Sequence, residues 1–171
     1  KTHRTGSPNL RSAAMNERVA RRTLQEHLEE CAKNEEKMRV AHKHLSPHLP
    51  LTKETFINLD EIQSGFLDQF VYRFSKLQDT LGEKIFPALL LLGRETIKGK
   101  TFLDILQRLE ELDLLRADDW IALRELRNEI AHEYSQNVEE VVQALNAIFE
   151  KSSELWCIYE RVKEFVTERY K

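Results

Sequence analysis

Apolar positions recur along this chain at intervals of three and four, the spacing of helices, rather than two. Leu24, Leu28, Cys31, Met38 and Leu45 share one face of an otherwise charged stretch and predict a long amphipathic helix over about 16–45. The prolines of "SPHLPLT", Pro47 and Pro50, end it, because each removes a backbone donor and disfavours helix in the residue before it. A second stripe, Leu59, Ile62, Phe66, Phe70, Phe74, Leu77 and Leu81, predicts a helix over about 53–82, with Gly65 inside it as the place for a close helix crossing. Pro87 opens a short helix through "PALLLLG", which Gly93 ends. Thr101 and Asp104 form a capping-box-like start for a helix to about 113. Asp118 and Asp119 favour the positive end of the next, "DDWIALRELRNEIAHEY". Asn137, with Glu140 three residues on, starts the last helix, whose stripe runs through Val138, Val141, Leu145, Ile148, Ser152, Leu155, Tyr159, Val162 and Val166. Val142, Phe149 and Trp156 widen that stripe enough to serve a bundle core with width left for a second subunit. No strand-like alternation competes. The expected fold is all-α: an up-and-down bundle of about five helices plus one short helix.

At 171 residues the chain suits one domain, expected over 15–171. The polar, unpatterned residues 1–14 read as the remnant of an expression tag and are set aside. Removing Lys1, Arg4 and Arg11 leaves 23 basic against 29 acidic residues and moves the formal charge from −3 to −6. That excludes a globally basic nucleic-acid binder, so any nucleic-acid contact must come from a local cationic patch. No run of eighteen apolar residues exists to span a membrane; the longest cluster is "ALLLLG" at 88–93. Two lone cysteines, Cys31 and Cys157, and no secretory signal after Met15 predict a reducing cytoplasm. His27 and Cys31 stand at i and i+4, but a partly exposed histidine beside a core cysteine explains them without a metal. His42, His44 and His48 are expected in a solvated helix end and loop.

Candidate chemistry gathers in "RNEIAHEY", residues 127–134. Arg124, Arg127, Ala131 and Tyr134 share a helical stripe, and Asn128 and His132, at i and i+4, can meet. Glu125, Glu129 and Glu133 fall on the other side, whereas ordinary solvated helices intersperse the two signs. Arg127 and His132, five apart, lie about 140° apart around the axis. A bland alternative fits the same residues: Arg124 and Arg127 pair with glutamates, His132 favours the negative helix end, and Tyr134 is a boundary aromatic.

"RNEIAHEY" resembles the signature of the HEPN superfamily, and more narrowly the Arg-x4-His-x-Tyr form of HEPN-type toxins encoded beside a minimal nucleotidyltransferase antitoxin. "DDWIALRELRNEIAHEYSQN" is similar to that family's motif helix and exit. "FLDQFVYRFSKLQDTLGEKIFPALLLLG" is similar to the preceding helix of the related nucleotidyltransferase-substrate-binding-like proteins. The resemblance covers roughly 16–170; the long charged first helix has no clear counterpart.

What the resemblance implies is a metal-independent endoribonuclease toxin, without a cofactor, working as a homodimer whose two motifs meet in an interfacial cleft. A twofold axis, or a local break in the helix near 132–135, would then bring together residues that one regular helix holds apart. Arg127 and His132 would be catalytic, Asn128 supporting, Arg124 an RNA contact, and Tyr134 the acceptor of AMP from the antitoxin. The alternative is a non-catalytic helical subunit that docks a nucleotidyltransferase and presents its substrate.

Overall fold

A computed structural model describes the backbone of residues 8–132 and 137–170, and the side chains of 14–130 and 137–170. Among the described residues the chain is an all-α bundle with no strand. Its elements are α1 (Pro8–Leu45), α2 (Lys53–Ile57), α3 (Glu61–Thr80), a π-helical turn (Leu81–Ile85), α4 (Phe86–Leu92), α5 (Phe102–Glu111), α6 (Ala117–His132) and α7 (Val138–Arg169). None of these helices is long and apolar enough to cross a membrane.

α1 runs against α3 and begins at Pro8, so residues 8–14, set aside in the sequence, continue the first helix. Its buried seam is Leu24, Leu28, Cys31, Asn34, Met38, Ala41 and Leu45. Asn34 fills a place the apolar pattern skips, and its side-chain oxygen accepts a hydrogen bond from Arg73 Nη1 at 2.9 Å. Burial of Cys31 pushes its thiol up to about 12, which leaves a packing group rather than a ligand.

The single helix expected over 53–82 is broken. Thr52 caps α2, and Asp60 with Gln63 then closes a full capping box that starts α3. The restart places Ile62 at the surface, 73% exposed, outside the stripe to which its spacing assigned it. Gly65 has open space where a Cβ would stand, so no helix crosses closely there. The preceding loop is pinned to α7: Leu51 donates its N–H to Asn146 Oδ1 and accepts from Nδ2, both at 2.8 Å.

α3 and α4 are joined through the π-turn. Pro87 has no N–H to offer Glu83, and its ring would collide with that carbonyl in a regular helix. The wider turn relieves this, with Phe86 N–H reaching back to Leu81 O. At the far end of α4 the residue with positive φ is Arg94, at 61°, while Gly93 keeps φ −73°. Arg94 N–H to Leu91 O and Glu95 N–H to Leu90 O complete a Schellman cap. Asp113, at φ 58°, repeats the device after α5, where Leu114 N–H meets Leu109 O and both side chains are buried.

Of the histidines expected in a solvated helix end and loop, His44 is exposed in the last turn of α1 as expected, while His42 and His48 are half-buried against neighbouring elements. His44 stacks on Phe66 with ring centres 4.1 Å apart, and His48 Nε2 lies 3.0 Å from Gln63 Nε2. His42 sits among Phe70, Phe149 and Trp156, the last 5.6 Å away edge-on. The α7 residues that widened the apolar stripe are thus largely occupied within the chain.

Burial among these rings, and then the charge of Arg39, which is paired with Glu35, hold His42 below the ordinary 6.5. The unfolded chain therefore binds the proton more readily than the folded one. Above about pH 6.5 the site costs nothing, and stability falls as the pH drops through that value. In urea midpoints measured between about pH 7.5 and pH 5, wild type should lose more stability than His42→Phe. Equal losses would exclude His42 as a source of the acid sensitivity.

Candidate functional site

α6 is held down by Trp120 and Leu123, 1% and 0% exposed, with Trp120 edge-on to Phe86 of α4 at 4.6 Å. Its start is fixed by Glu110, whose carboxylate accepts the N–H of Ala117. That anchoring turns Arg124, Arg127 and Asn128 toward the π-turn, where the three share a cleft of about 430 Å³. Arg124 and Arg127 share this wall as their spacing implies, and Asn128, which the spacing paired with His132, stands beside them.

The opposite wall was not foreseen. Asp79, in the last turn of α3, takes Arg127 in a two-point grip: Nε to Oδ1 at 3.1 Å and Nη2 to Oδ2 at 3.0 Å. This hydrogen-bonded carboxylate is the main reason the guanidinium is held more firmly protonated than usual. Arg127 does find an acid, as the bland alternative required, but an aspartate 48 residues away rather than a helical glutamate. The grip uses two of the five guanidinium N–H groups and leaves three. Both side chains are about 30% exposed.

Glu83 also borders the cleft, so two carboxylates face Arg124 and Arg127. The segregation of charge that holds along α6 is cancelled across the gap by its neighbour. Arg124 itself lies over the Phe102 ring, 5.1 Å from its centre. On the far side of Asn128, Glu125 and Glu129 face Glu150 and Lys151 of α7 across a wider groove of about 700 Å³. Asn128 stands on the ridge between the two. Arg127 in turn borders an apolar groove of about 480 Å³ formed by Leu67, Val71, Tyr72, Ile130 and Leu145.

The side chain of His132 and the whole of Tyr134 lie outside the described residues. Among those described, no three His, Cys, Asp or Glu side chains gather as they would around a metal ion. The members missing from the sequence reading are Gln78, Asp79, Gly82, Glu83 and Phe102. Pro87 inside a helical run was the one available signal, because a proline there demands a local change of helix geometry.

Gly82 lets the π-turn approach α6. A Cβ on it would lie 3.1 Å from Cζ2 of Trp120, a ring already fixed against Phe86. Alanine normally gains about 1 kcal/mol over glycine in a helix. Here overpacking of about 1–3 kcal/mol should outweigh that gain. Gly82→Ala is therefore expected to lower the denaturation midpoint; a raised midpoint would show that Trp120 can yield. No protein-family model, curated protein or solved structure matches this chain.

Proposed function

We propose that this chain is a metal-independent endoribonuclease toxin acting as a homodimer, with Arg127 and His132 as its catalytic pair. The observation that supports the proposal is the placement of Arg124, Arg127 and Asn128, on the same helix as His132, along one cleft wall with aromatic surface from Phe102 at hand. The RNA 2′-OH attacks the adjacent phosphorus in line and the P–O5′ bond breaks, leaving a 2′,3′-cyclic phosphate and a 5′-OH. His132 moves the proton, since histidine exchanges protons near neutral pH. The three N–H groups that Asp79 leaves on Arg127 serve the phosphoryl oxygens as charge builds there. Asp79 is then a positioning residue, and Arg124 extends the contact along the strand. Across a twofold axis the partner's copy of the motif supplies what one helix separates by its 140° turn.

By the resemblance, a small nucleotidyltransferase neutralises the toxin. The Tyr134 phenolic oxygen attacks the α-phosphorus of ATP, pyrophosphate leaves, and the phenolic proton passes to solvent. The added nucleotide would block the cationic stripe by size and charge.

One observation favours the alternative, a docking subunit without catalysis. Arg127 is already paired, and the carboxylates of Asp79 and Glu83 balance both guanidinium groups of the cleft. An RNA cleavage assay with chelator present separates the two. Wild type should release fragments with cyclic phosphate ends, while His132→Ala and Arg127→Ala should each lose on the order of 10²–10³-fold in rate. Asp79→Asn should lose about tenfold or more through misplacement of Arg127. RNA left intact by folded wild type would support docking instead. Co-expression with the nucleotidyltransferase should add the mass of AMP to the tryptic peptide holding Tyr134, and an unmodified peptide would remove that part of the proposal.

A further inference from the structure

Among the described residues, three buried side-chain atoms lack a hydrogen-bond partner: Arg73 Nε, Trp156 Nε1 and Gln78 Oε1. Two belong to side chains otherwise engaged, Arg73 through its bond to Asn34 and Trp156 beneath the guanidinium of Arg39. Gln78 is different. It is 3% exposed and lines the cleft between the π-turn and α6, so a buried amide oxygen at that wall has no donor.

The rest of the cleft narrows what could supply one. Gly82, one turn beyond Gln78, carries no side chain and packs directly on the Trp120 ring, and both line the cleft. Pro87 and Phe102 add flat apolar surface, and the guanidinium on Phe102 presents a second planar face at the rim. Two cations and two anions leave the cleft nearly neutral, so an isolated phosphate would gain little inside it. A flat, neutral ring system gains from the apolar walls and can keep an attached phosphate outside, near Arg124. A donor on its polar edge would satisfy Gln78 Oε1, which has no partner within the chain, and would also suit the nearby carboxylates of Asp79 and Glu83. The cleft's own donors, on Arg124 and Arg127, are held against Phe102 and Asp79.

We propose that this cleft is a nucleobase subsite, in which Gln78 reads an RNA base carrying an exocyclic amino group. Deepening the ribonuclease proposal, this names the part of the RNA the cleft holds and predicts a preference for adenine or cytosine over hypoxanthine or uracil. A volume of about 430 Å³ suits one base with its sugar rather than a stacked run.

The test uses binding rather than cutting. AMP against IMP, and CMP against UMP, differ at the base edge by amino against keto chemistry and are titrated by calorimetry into the intact protein. The amino member of each pair should bind at least tenfold more tightly, and Gln78→Leu, of similar size, should bring it down to the level of the keto member. A trinucleotide of adenosine should displace AMP. Equal affinities within both pairs, discrimination that survives Gln78→Leu, or AMP that the trinucleotide does not displace would each overturn the subsite. If Gln78→Leu does not fold, the two wild-type pairs decide alone. Amino-selective binding by a protein that cuts no RNA would remove the nuclease and keep the subsite; cutting without such selectivity would do the reverse.

Discussion

The two-point pair between Asp79 and Arg127 sets where the motif helix can act. It joins the last turn of α3 to the third turn of α6 and fixes the direction of the one guanidinium that stands where the polar cleft meets the apolar groove. It does not hold the bundle together. A pair about 30% exposed on both sides contributes about 1 kcal/mol. Each fully buried residue such as Phe74 or Leu123 contributes about 1.5–3 kcal/mol. The core places the helices, and the ion pair then selects one orientation of Arg127 among the many that a long side chain could adopt.

A backbone constraint a few residues beyond Asp79 shapes the rest of its cleft wall. Pro87 cannot donate within a helix, so the chain widens into a π-turn over Leu81–Ile85. The extra residue in the turn changes which side chains face α6, bringing Glu83 and the bare Gly82 to the cleft beside Gln78 and Asp79. A proline that is costly to the local ladder thereby shapes one wall of the candidate site, and Trp120, packed on Phe86, supports the other.

The helices were legible where a signal was local. The Thr101–Asp104 capping box forms as its spacing implies, Asn137 caps α7, and the three-four repeat through Leu145, Ile148, Leu155, Tyr159 and Val162 is buried. The break before α3 was legible too, since Asp60 and Gln63 have capping-box spacing, but the longer apolar stripe obscured it. The left-handed turns at Arg94 and Asp113 carried no such signal, because glycine is the usual marker and neither residue is glycine. The shared stripe of Arg124 and Arg127 followed from their own helix. Their opposition by Asp79 and Glu83 did not, because it depends on how α3 and α6 pack across about fifty residues of sequence. His42 was misplaced for a related reason: the prolines beyond it suggested solvent, while Phe70 and Phe149 supplied rings from distant elements.

The coupling between Asp79 and Arg127 is the quantity on which this account turns, and a double-mutant cycle measures it most directly. Unfolding free energies of wild type, Asp79→Ala, Arg127→Ala and the double variant, from urea denaturation at neutral pH and low salt, give that coupling without reference to any activity. The expected value is about 1 kcal/mol, shrinking as salt is added. Single effects that add to within about 0.3 kcal/mol at every salt concentration would contradict it, because Arg127 would then be free of α3 and its place at the cleft unspecified.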